Sequence, residues 1–171
     1  MNVILYIAGA IAILATVLVI TRLNPIHALL YLITSLMAVA VIFFLLGAPF
    51  VAALEVIIYA GAIMVLFVFV VMMLNLGPHT TEQEGQWFTP RMMVGPGVLG
   101  LILLGETIYA QRVLGGAPGG GAAISPQQVS AALFGPYLLG VELSSVLLLA
   151  GLVAAYHLGR RQPFAAPEEG G

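Results

Sequence analysis

Long runs of apolar residues, separated by short polar or Gly/Pro stretches, dominate the pattern along the chain. About 20 apolar residues in a helix cross the roughly 30 Å hydrocarbon core of a bilayer. Five runs reach that length, at residues 2–21, 25–46, 50–75, 92–110 and 136–158. The pattern therefore predicts an all-α integral membrane protein in which residues 1–160 form one five-helix transmembrane domain.

The ends of the first spans carry recognisable helix start and stop signals. Asn24 precedes Pro25, an N-cap residue followed by proline at the first helical position. Residues 47–49, Gly-Ala-Pro, predict a very short turn into the third span. The first span follows a start without positive charge, so it reads as a retained anchor rather than a signal peptide.

The second half of the chain is less uniformly apolar. Glycines and Pro96 dilute the fourth span, and residues 78–91 and 115–124 predict loops, the latter rich in glycine. Ser-Pro-Gln-Gln at residues 125–128 has the pattern of a capping box and predicts a short helix over 126–134 before Gly-Pro breaks it. Residues 161–171 predict a flexible tail.

Composition excludes several classes of protein. The chain has 171 residues, of which 61% are hydrophobic and 7% charged, whereas soluble domains are about 25% charged. The absence of Cys excludes disulfides and thiolate metal sites, and a formal net charge of -2 excludes a basic nucleic-acid interface. We therefore expect membrane lipid around the chain and no nucleic acid.

The distribution of arginine predicts the orientation, because cytoplasmic loops are enriched in positive residues. With the N-terminus outside, in the periplasm, and the C-terminus inside, in the cytoplasm, one arginine lies outside, at position 112. The other four then lie inside: Arg22, Arg91, Arg160 and Arg161.

Three carboxylates fall within the predicted spans, where an ionised side chain at a helix centre costs roughly 2.5 to 3.5 kcal/mol. Glu55 shares a helical face with Tyr59, which could hydrogen-bond it or share a water with it, and Glu55 either faces a partner or hydrated cavity or extends to the outer headgroups. Glu142 has Ser145 on its face as a hydrogen-bond donor, and it either takes part in ion conduction or interhelical bonding or is a structural residue satisfied by a partner. Glu106 is expected to be an interfacial carboxylate.

The third span contains an unusual stretch of small residues, Tyr59-Ala60-Gly61-Ala62, within a run of bulky apolar ones. Close packing of another helix explains small residues in membranes. The span is also longer than a bilayer requires, and either tilt or a local π-bulge would absorb the excess. The three histidines are scattered, and each is expected to be structural.

Three sequence blocks resemble subunit J of bacterial proton-pumping NADH:quinone oxidoreductase, respiratory complex I, the family of mitochondrial NADH dehydrogenase subunit 6. They are NPIHALL at 24–30, EVIIYAGAIMVLFVFV at 55–70, and FGPYLLGVELSSVLLLAGLV at 134–153. Their occurrence in order with compatible spacing makes the resemblance specific. The fourth span resembles the family only in hydropathy and position, so no role carries over to Glu106.

The resemblance implies a bacterial inner-membrane subunit that contacts subunits K, A, H and N and carries no cofactor. NADH, FMN, iron-sulfur clusters and quinone would then be bound by other subunits. It also implies a π-bulge between residues 59 and 65 whose rearrangement connects quinone chemistry to proton translocation. The candidate residues for the proton path and its coupling are Glu55, Tyr59, Gly61, Val65, Leu66, Phe69 and Glu142.

Two other functions stay open at this stage. An independent small transporter or channel would use Glu55 and Glu142 and would be active alone in liposomes. A membrane assembly factor would leave the mature complex, whereas a subunit would purify with it.

Overall fold

The computed structural model describes residues 2–73, 90–113 and 123–160. Every regular element in these ranges is helical. In chain order they are α1 (Asn2–Thr21), α2 (Pro25–Leu45), α3 (Pro49–Glu55), a π-helical segment (Val56–Ile63), α4 (Met64–Met73), α5 (Pro90–Val113), α6 (Pro126–Leu133) and α7 (Leu138–Gly159).

Within the described ranges, five helical stretches are long and apolar enough to cross a membrane, which confirms the predicted number of spans. They are Val3–Thr21, Pro25–Leu45, Pro49–Met73, Met93–Arg112 and Leu138–Gly159. The helix of the fourth span, α5, begins at Pro90, two residues earlier than predicted, and continues to Val113. The predicted end of the third span at residue 75, the loop over 78–89, most of the loop at 115–124 and the tail at 161–171 lie outside the described residues.

The start of α2 follows directly from its sequence. The Oδ1 atom of Asn24 accepts hydrogen bonds from the backbone N–H of Ile26 at 2.9 Å and of His27 at 3.2 Å. Pro25 occupies the first helical turn, where its missing N–H leaves no bond unmade. The predicted N-cap at Asn24 is confirmed.

The chain divides into two compact units, Met1–Ser125 and Pro126–Gly171. In the first unit, α2 packs on α1, on the third span and on α5. Small residues on α1, among them Ala8 and Ala15, are fully buried and let α2 approach closely. The buried core joins three helices through Ala8, Ile11, Ala38, Val41, Leu45, Leu103 and Ala110.

A tight turn joins α2 to the third span. Gly47 has a φ of 85°, a conformation that side chains disfavour, and its N–H donates to the carbonyl of Phe44 at 3.1 Å. The carbonyl of Gly47 in turn accepts from the N–H of Ile124 at 2.9 Å. Pro49 then occupies the first turn of α3. The short turn predicted at residues 47–49 is confirmed.

In the second unit, α6 ends at Leu133 and α7 begins at Leu138, as the Gly-Pro pair predicts. The turn between them keeps backbone bonding, since the N–H of Tyr137 donates to the carbonyl of Ala132 at 3.1 Å. Neither α6 nor α7 buries a residue within this unit. The apolar surface of α7 is therefore not covered by its own unit.

Candidate functional site

The winding of the third span changes twice along its length. α3 gives way to the π segment after Glu55, and α-helical winding resumes at Met64. The π segment, Val56–Ile63, shares residues 59–63 with the range indicated by the sequence and begins three residues earlier. π-Helical turns are rare and occur mostly at functional sites. This segment is therefore the first candidate for function.

The C-terminal end of the π segment is defined by the backbone of Met64. Its N–H donates to two carbonyl groups, that of Tyr59, five residues earlier, and that of Gly61, three residues earlier. The side chain of Met64 is only 1% exposed, and it is the one buried side chain of α4. Met64 is therefore the most deeply buried attachment of α4 to the rest of its unit, through a flexible thioether side chain.

Gly61 lies at the centre of the backbone geometry of the π segment. A Cβ added at Gly61 would lie 3.3 Å from the carbonyl oxygen of Val56, its single contact within 4 Å outside the local turn. Val56 is five residues earlier, a separation that π winding brings together. No atom of another helix in the described chain lies within 4 Å of that Cβ. Close packing within the described chain therefore does not explain the glycine.

Most other candidate residues of the third span point away from their own unit. Tyr59, Val65, Leu66 and Phe69 are all exposed, and no residue of the π segment is buried. In a membrane protein such residues contact either lipid or neighbouring subunits. Their chemistry therefore depends on surfaces outside this chain.

The structure does not pair the two polar residues at the start of this site. No hydrogen bond joins Glu55 to Tyr59 among the described residues. The sequence suggested that they share a face because α-helical residues four apart do so. The π winding begins at Val56, which lies between Glu55 and Tyr59 in the sequence. In a π-helix, residues five apart rather than four apart come to lie above one another.

Glu142 belongs to the second unit, on the first turns of α7. The hydroxyl of Ser145 donates to the backbone carbonyl of Glu142 at 2.7 Å, and that of Ser144 donates to the carbonyl of Gly140 at 2.7 Å. A serine hydroxyl has one proton, so neither serine can also donate to the Glu142 carboxylate. The carboxylate is exposed within its unit, and the predicted support from Ser145 goes to the backbone instead.

Sequence reasoning missed a polar contact between α1 and α2. The hydroxyls of Thr16 and Ser35 lie 2.8 Å apart, and both approach the carbonyl of Ala12, at 2.8 and 3.1 Å respectively. Ser35 is buried. The sequence does contain a hydroxyl residue in each of these two apolar spans. It does not show which face of α1 packs against which face of α2, so the contact could not be predicted.

The interfacial position expected for Glu106 stays a prediction, but its carboxyl group is covered by the chain itself. Both carboxyl oxygens are buried, and neither has a hydrogen-bond partner among the described residues. Glu106 lies three residues after Leu103 and four before Ala110, and the structure shows that both of these residues are buried, which the apolar sequence of α5 does not reveal.

A metal centre finds no support within the ranges that the structure describes. They contain no group of three His, Asp or Glu side chains close enough to hold an ion. The site consists of helix backbone, isolated carboxyls and exposed apolar side chains.

Five apolar helices and an interrupted third span define a multi-pass membrane protein, and comparison with known proteins assigns its family. Residues 15–158 match the family of NADH-ubiquinone/plastoquinone oxidoreductase chain 6. The chain belongs to this family, and it is a multi-pass protein of the bacterial inner membrane.

Individual relatives agree with this assignment. NADH-quinone oxidoreductase subunit J of Pseudomonas aeruginosa is 60% identical over 157 residues, 91% of this chain and 95% of the relative. Subunit J of Escherichia coli K12 is 59% identical over 159 residues, 92% of this chain and 85% of the relative. The subunit J of Buchnera aphidicola from Schizaphis graminum is 47% identical over 162 residues, 95% of this chain and 99% of the relative.

Proposed function

We propose that this chain is a membrane-arm subunit of respiratory complex I that couples NADH:quinone electron transfer to proton translocation. The observation that carries the proposal is the π segment Val56–Ile63, within a chain of the chain 6 family. The chain contributes a movable helix and carboxyl groups, and electron transfer takes place on other subunits. NADH, FMN, the iron-sulfur clusters and quinone bind there, consistent with the lack of any cysteine to hold a cluster here.

The coupling step is a change of winding in the π segment. Each residue of an α-helix turns the chain by about 100°, since 3.6 residues complete a turn. If the extra residue of the π winding is absorbed into α-helix, every side chain of α4 turns relative to α3. Val65, Leu66 and Phe69 are exposed and bulky, so this rotation exchanges which of them faces a neighbouring subunit. Such side chains open or close a water-filled proton path by moving into or out of it.

Glu55 lies directly before the π segment and Tyr59 lies within it, whereas Glu142 lies in the second unit. We infer that the carboxyl groups of Glu55 and Glu142 take up protons or hold water against partner subunits. The support is that both are in membrane-spanning helices and that each carboxylate lacks a hydrogen bond to the described chain. An ionised carboxyl facing lipid is costly, so a polar or hydrated neighbour is required.

The partners in this proposal are the complex I subunits K, A, H and N. The orientation is N-terminus periplasmic and C-terminus cytoplasmic, supported by the arginine distribution. The exposed apolar faces of the π segment, α4 and α7 supply the contact surface, because none of them is covered within its own unit.

Substitution of Gly61 tests the proposal in the assembled complex. In Gly61→Ala the new Cβ crowds the Val56 carbonyl, which lies 3.3 Å away in the π form, and Gly61→Leu adds bulk as well. If the winding change couples the two reactions, quinone-linked turnover and proton pumping fall together. NADH oxidation with artificial acceptors persists, because that chemistry is on other subunits.

Gly97→Ala is the matched control, since a Cβ at Gly97 meets nothing within 4 Å. It removes a glycine from a span without crowding any carbonyl, and all activities should remain. A Gly61→Leu complex that assembles and pumps normally for each NADH oxidised would refute the switching role. Robust proton flux from the purified chain alone in liposomes would instead favour an independent transporter that uses Glu55 and Glu142.

A further inference from the structure

The carboxyl group of Glu106 on α5 is enclosed by its own chain. Each of its two oxygens exposes less than 1 Å² and has no hydrogen-bond partner among the described residues. Buried polar atoms are nearly always hydrogen-bonded in folded proteins, so a carboxyl with neither oxygen paired requires an explanation. None of the roles proposed above involves this residue.

The surroundings of Glu106 are apolar. Leu103, one turn earlier, is 3% exposed and Ala110, one turn later, is 1% exposed. Both belong to the core cluster that α5 forms with α1 and α2. The neighbouring hydroxyl of Thr107 donates to the carbonyl of Leu103 at 2.8 Å, so its proton is already used.

The charged and titratable groups on the packed helices are either exposed or distant from Glu106 along the helix. On α1, Tyr6 is exposed, and Arg22 follows the helix at the end where α2 begins. On α2, His27 and Tyr31 lie near its start, and Tyr31 contacts Gly95. Gly95 is eleven residues from Glu106, about 16 Å along the helix.

On α5 itself, Tyr109 and Arg112 are exposed near the far end of the helix. Neither forms a hydrogen bond or ion pair with the buried oxygens. No cationic group of the described chain therefore offsets a negative charge at Glu106.

A cation from another subunit could not neutralise a negative charge at Glu106 in this arrangement. The oxygens are covered by the chain's own packing, so a partner's lysine or arginine could reach them only if α5 moved. An isolated carboxylate without water, hydrogen bond or counter-ion is strongly disfavoured, and the group becomes neutral by binding a proton.

We propose that Glu106 is a proton-binding site within the membrane, a carboxylic acid that stays protonated at neutral pH. Its ligand is the proton itself, held between α5 and the α1–α2 pair. The proton exchanges with water only when α5 separates from those helices. This proposal does not depend on the function proposed for the π segment.

Infrared difference spectroscopy of the purified complex tests the proposal. Subtracting the Glu106→Gln spectrum from the wild-type spectrum at neutral pH should leave the carbonyl-stretch band of one protonated carboxylic acid. That band should shift only slowly in D₂O, because the group is enclosed. Gln is close in shape to the neutral acid, so the variant complex should assemble in wild-type amounts.

The double variant Glu106→Gln/Gln111→Glu serves as the control, since it moves the carboxyl to an exposed position on the same helix. The acid band should be absent from this complex, because position 111 lies in the last turn of the helix next to Arg112, whose positive charge favours an ionised carboxyl. Glu106→Leu provides a second measurement, and it should also assemble, because no partner is left unpaired.

Two results would overturn the proposal. One is a difference spectrum with carboxylate bands and no acid band. The other is failed assembly of both Glu106→Gln and Glu106→Leu, which would indicate an ionised Glu106 held by a counter-ion.

Discussion

The hydroxyl group of Tyr31 on α2 occupies the position where a side chain on Gly95 of α5 would begin. The same ring lies 5.5 Å from the guanidinium carbon of Arg22 and 4.9 Å, centroid to centroid, from the ring of His27. Tyr31 is held in place by these neighbours and is buried, so it cannot easily withdraw. The approach of α5 to α2 therefore depends on the absence of a side chain at position 95.

Gly95→Ala is expected to destabilise the contact between α2 and α5. The added methyl group meets the Tyr31 hydroxyl and ring carbon Cζ, and overpacking of this kind costs about 1 to 3 kcal/mol. The measurement is the thermal stability of the purified complex, followed by release of this subunit. Gly97→Ala, which enters open space, should match the wild type.

Removing the hydroxyl group of Tyr31 should partly restore the contact between α2 and α5 that Gly95→Ala weakens. Tyr31→Phe combined with Gly95→Ala should recover part of the lost stability. Recovery should be incomplete, because ring carbon Cζ would still lie 3.1 Å from the new Cβ. Equal stability of the Gly95→Ala complexes with and without the hydroxyl would contradict this account.

Ser35→Ala should weaken the pairing of α1 with α2. Thr16 and Ser35 together supply two hydroxyl protons for three close contacts, so two bonds are made at once. Polar bonds between membrane helices contribute about 0.6 kcal/mol on average and about 1.7 at most. Denaturation of the purified complex by increasing detergent should show a loss in that range.

The adjacent Thr34→Val provides the control for this measurement. Thr34 is also buried, but its hydroxyl donates to the carbonyl of Leu30 on its own helix, at 3.0 Å. Its removal breaks no bond between helices. A larger loss for Thr34→Val than for Ser35→Ala would show that the interhelical bond is not what holds the pair.

Gly135→Ala should disturb the turn between α6 and α7. A Cβ at Gly135 would lie 2.6 Å from the carbonyl oxygen of Ala131, and a backbone atom cannot move aside cheaply. Gly140→Ala meets nothing within 4 Å and should be neutral. The amount of assembled complex in membranes measures both, and equal amounts would mean that the turn adapts without strain.

Single cysteines test the orientation, because the chain itself has none. Leu23→Cys, in the exposed connection between α1 and α2, should react with a membrane-impermeant reagent from the cytoplasmic side. Leu46→Cys, in the exposed turn after α2, should react from the periplasmic side. The opposite pattern would reverse the proposed topology.

The spans and their caps could be predicted from sequence because they depend on local features. An asparagine before a proline caps α2, and Gly-Pro ends α6, without reference to distant residues. The pairing of faces could not be predicted. Nothing in the sequence of α5 states that Gly95 meets Tyr31, because α1, α2 and α5 are apolar on most sides.

In the candidate site, too, local features could be predicted from sequence and side-chain contacts could not. Gly61 and its neighbours indicated a weak point in the third span, and a π segment is present there. The expected contacts of Glu55 with Tyr59 and of Glu142 with Ser145 assumed free α-helical side chains. Altered winding in one helix and backbone bonding in the other removed those contacts.

Met64 is the single buried side chain between Val56 and Met73, so the proposed rotation of α4 would remove one fully buried side chain from its contacts. In a membrane-spanning helix this side chain passes into lipid or against a neighbouring subunit rather than into water, so the cost is lost packing and not a hydrophobic transfer free energy. A conformation a few kcal/mol above the major one is populated at about 0.1 to 10 percent at equilibrium. The rotated form would then exist in the resting protein, and a modest bias from a neighbouring subunit would be enough to make it the majority.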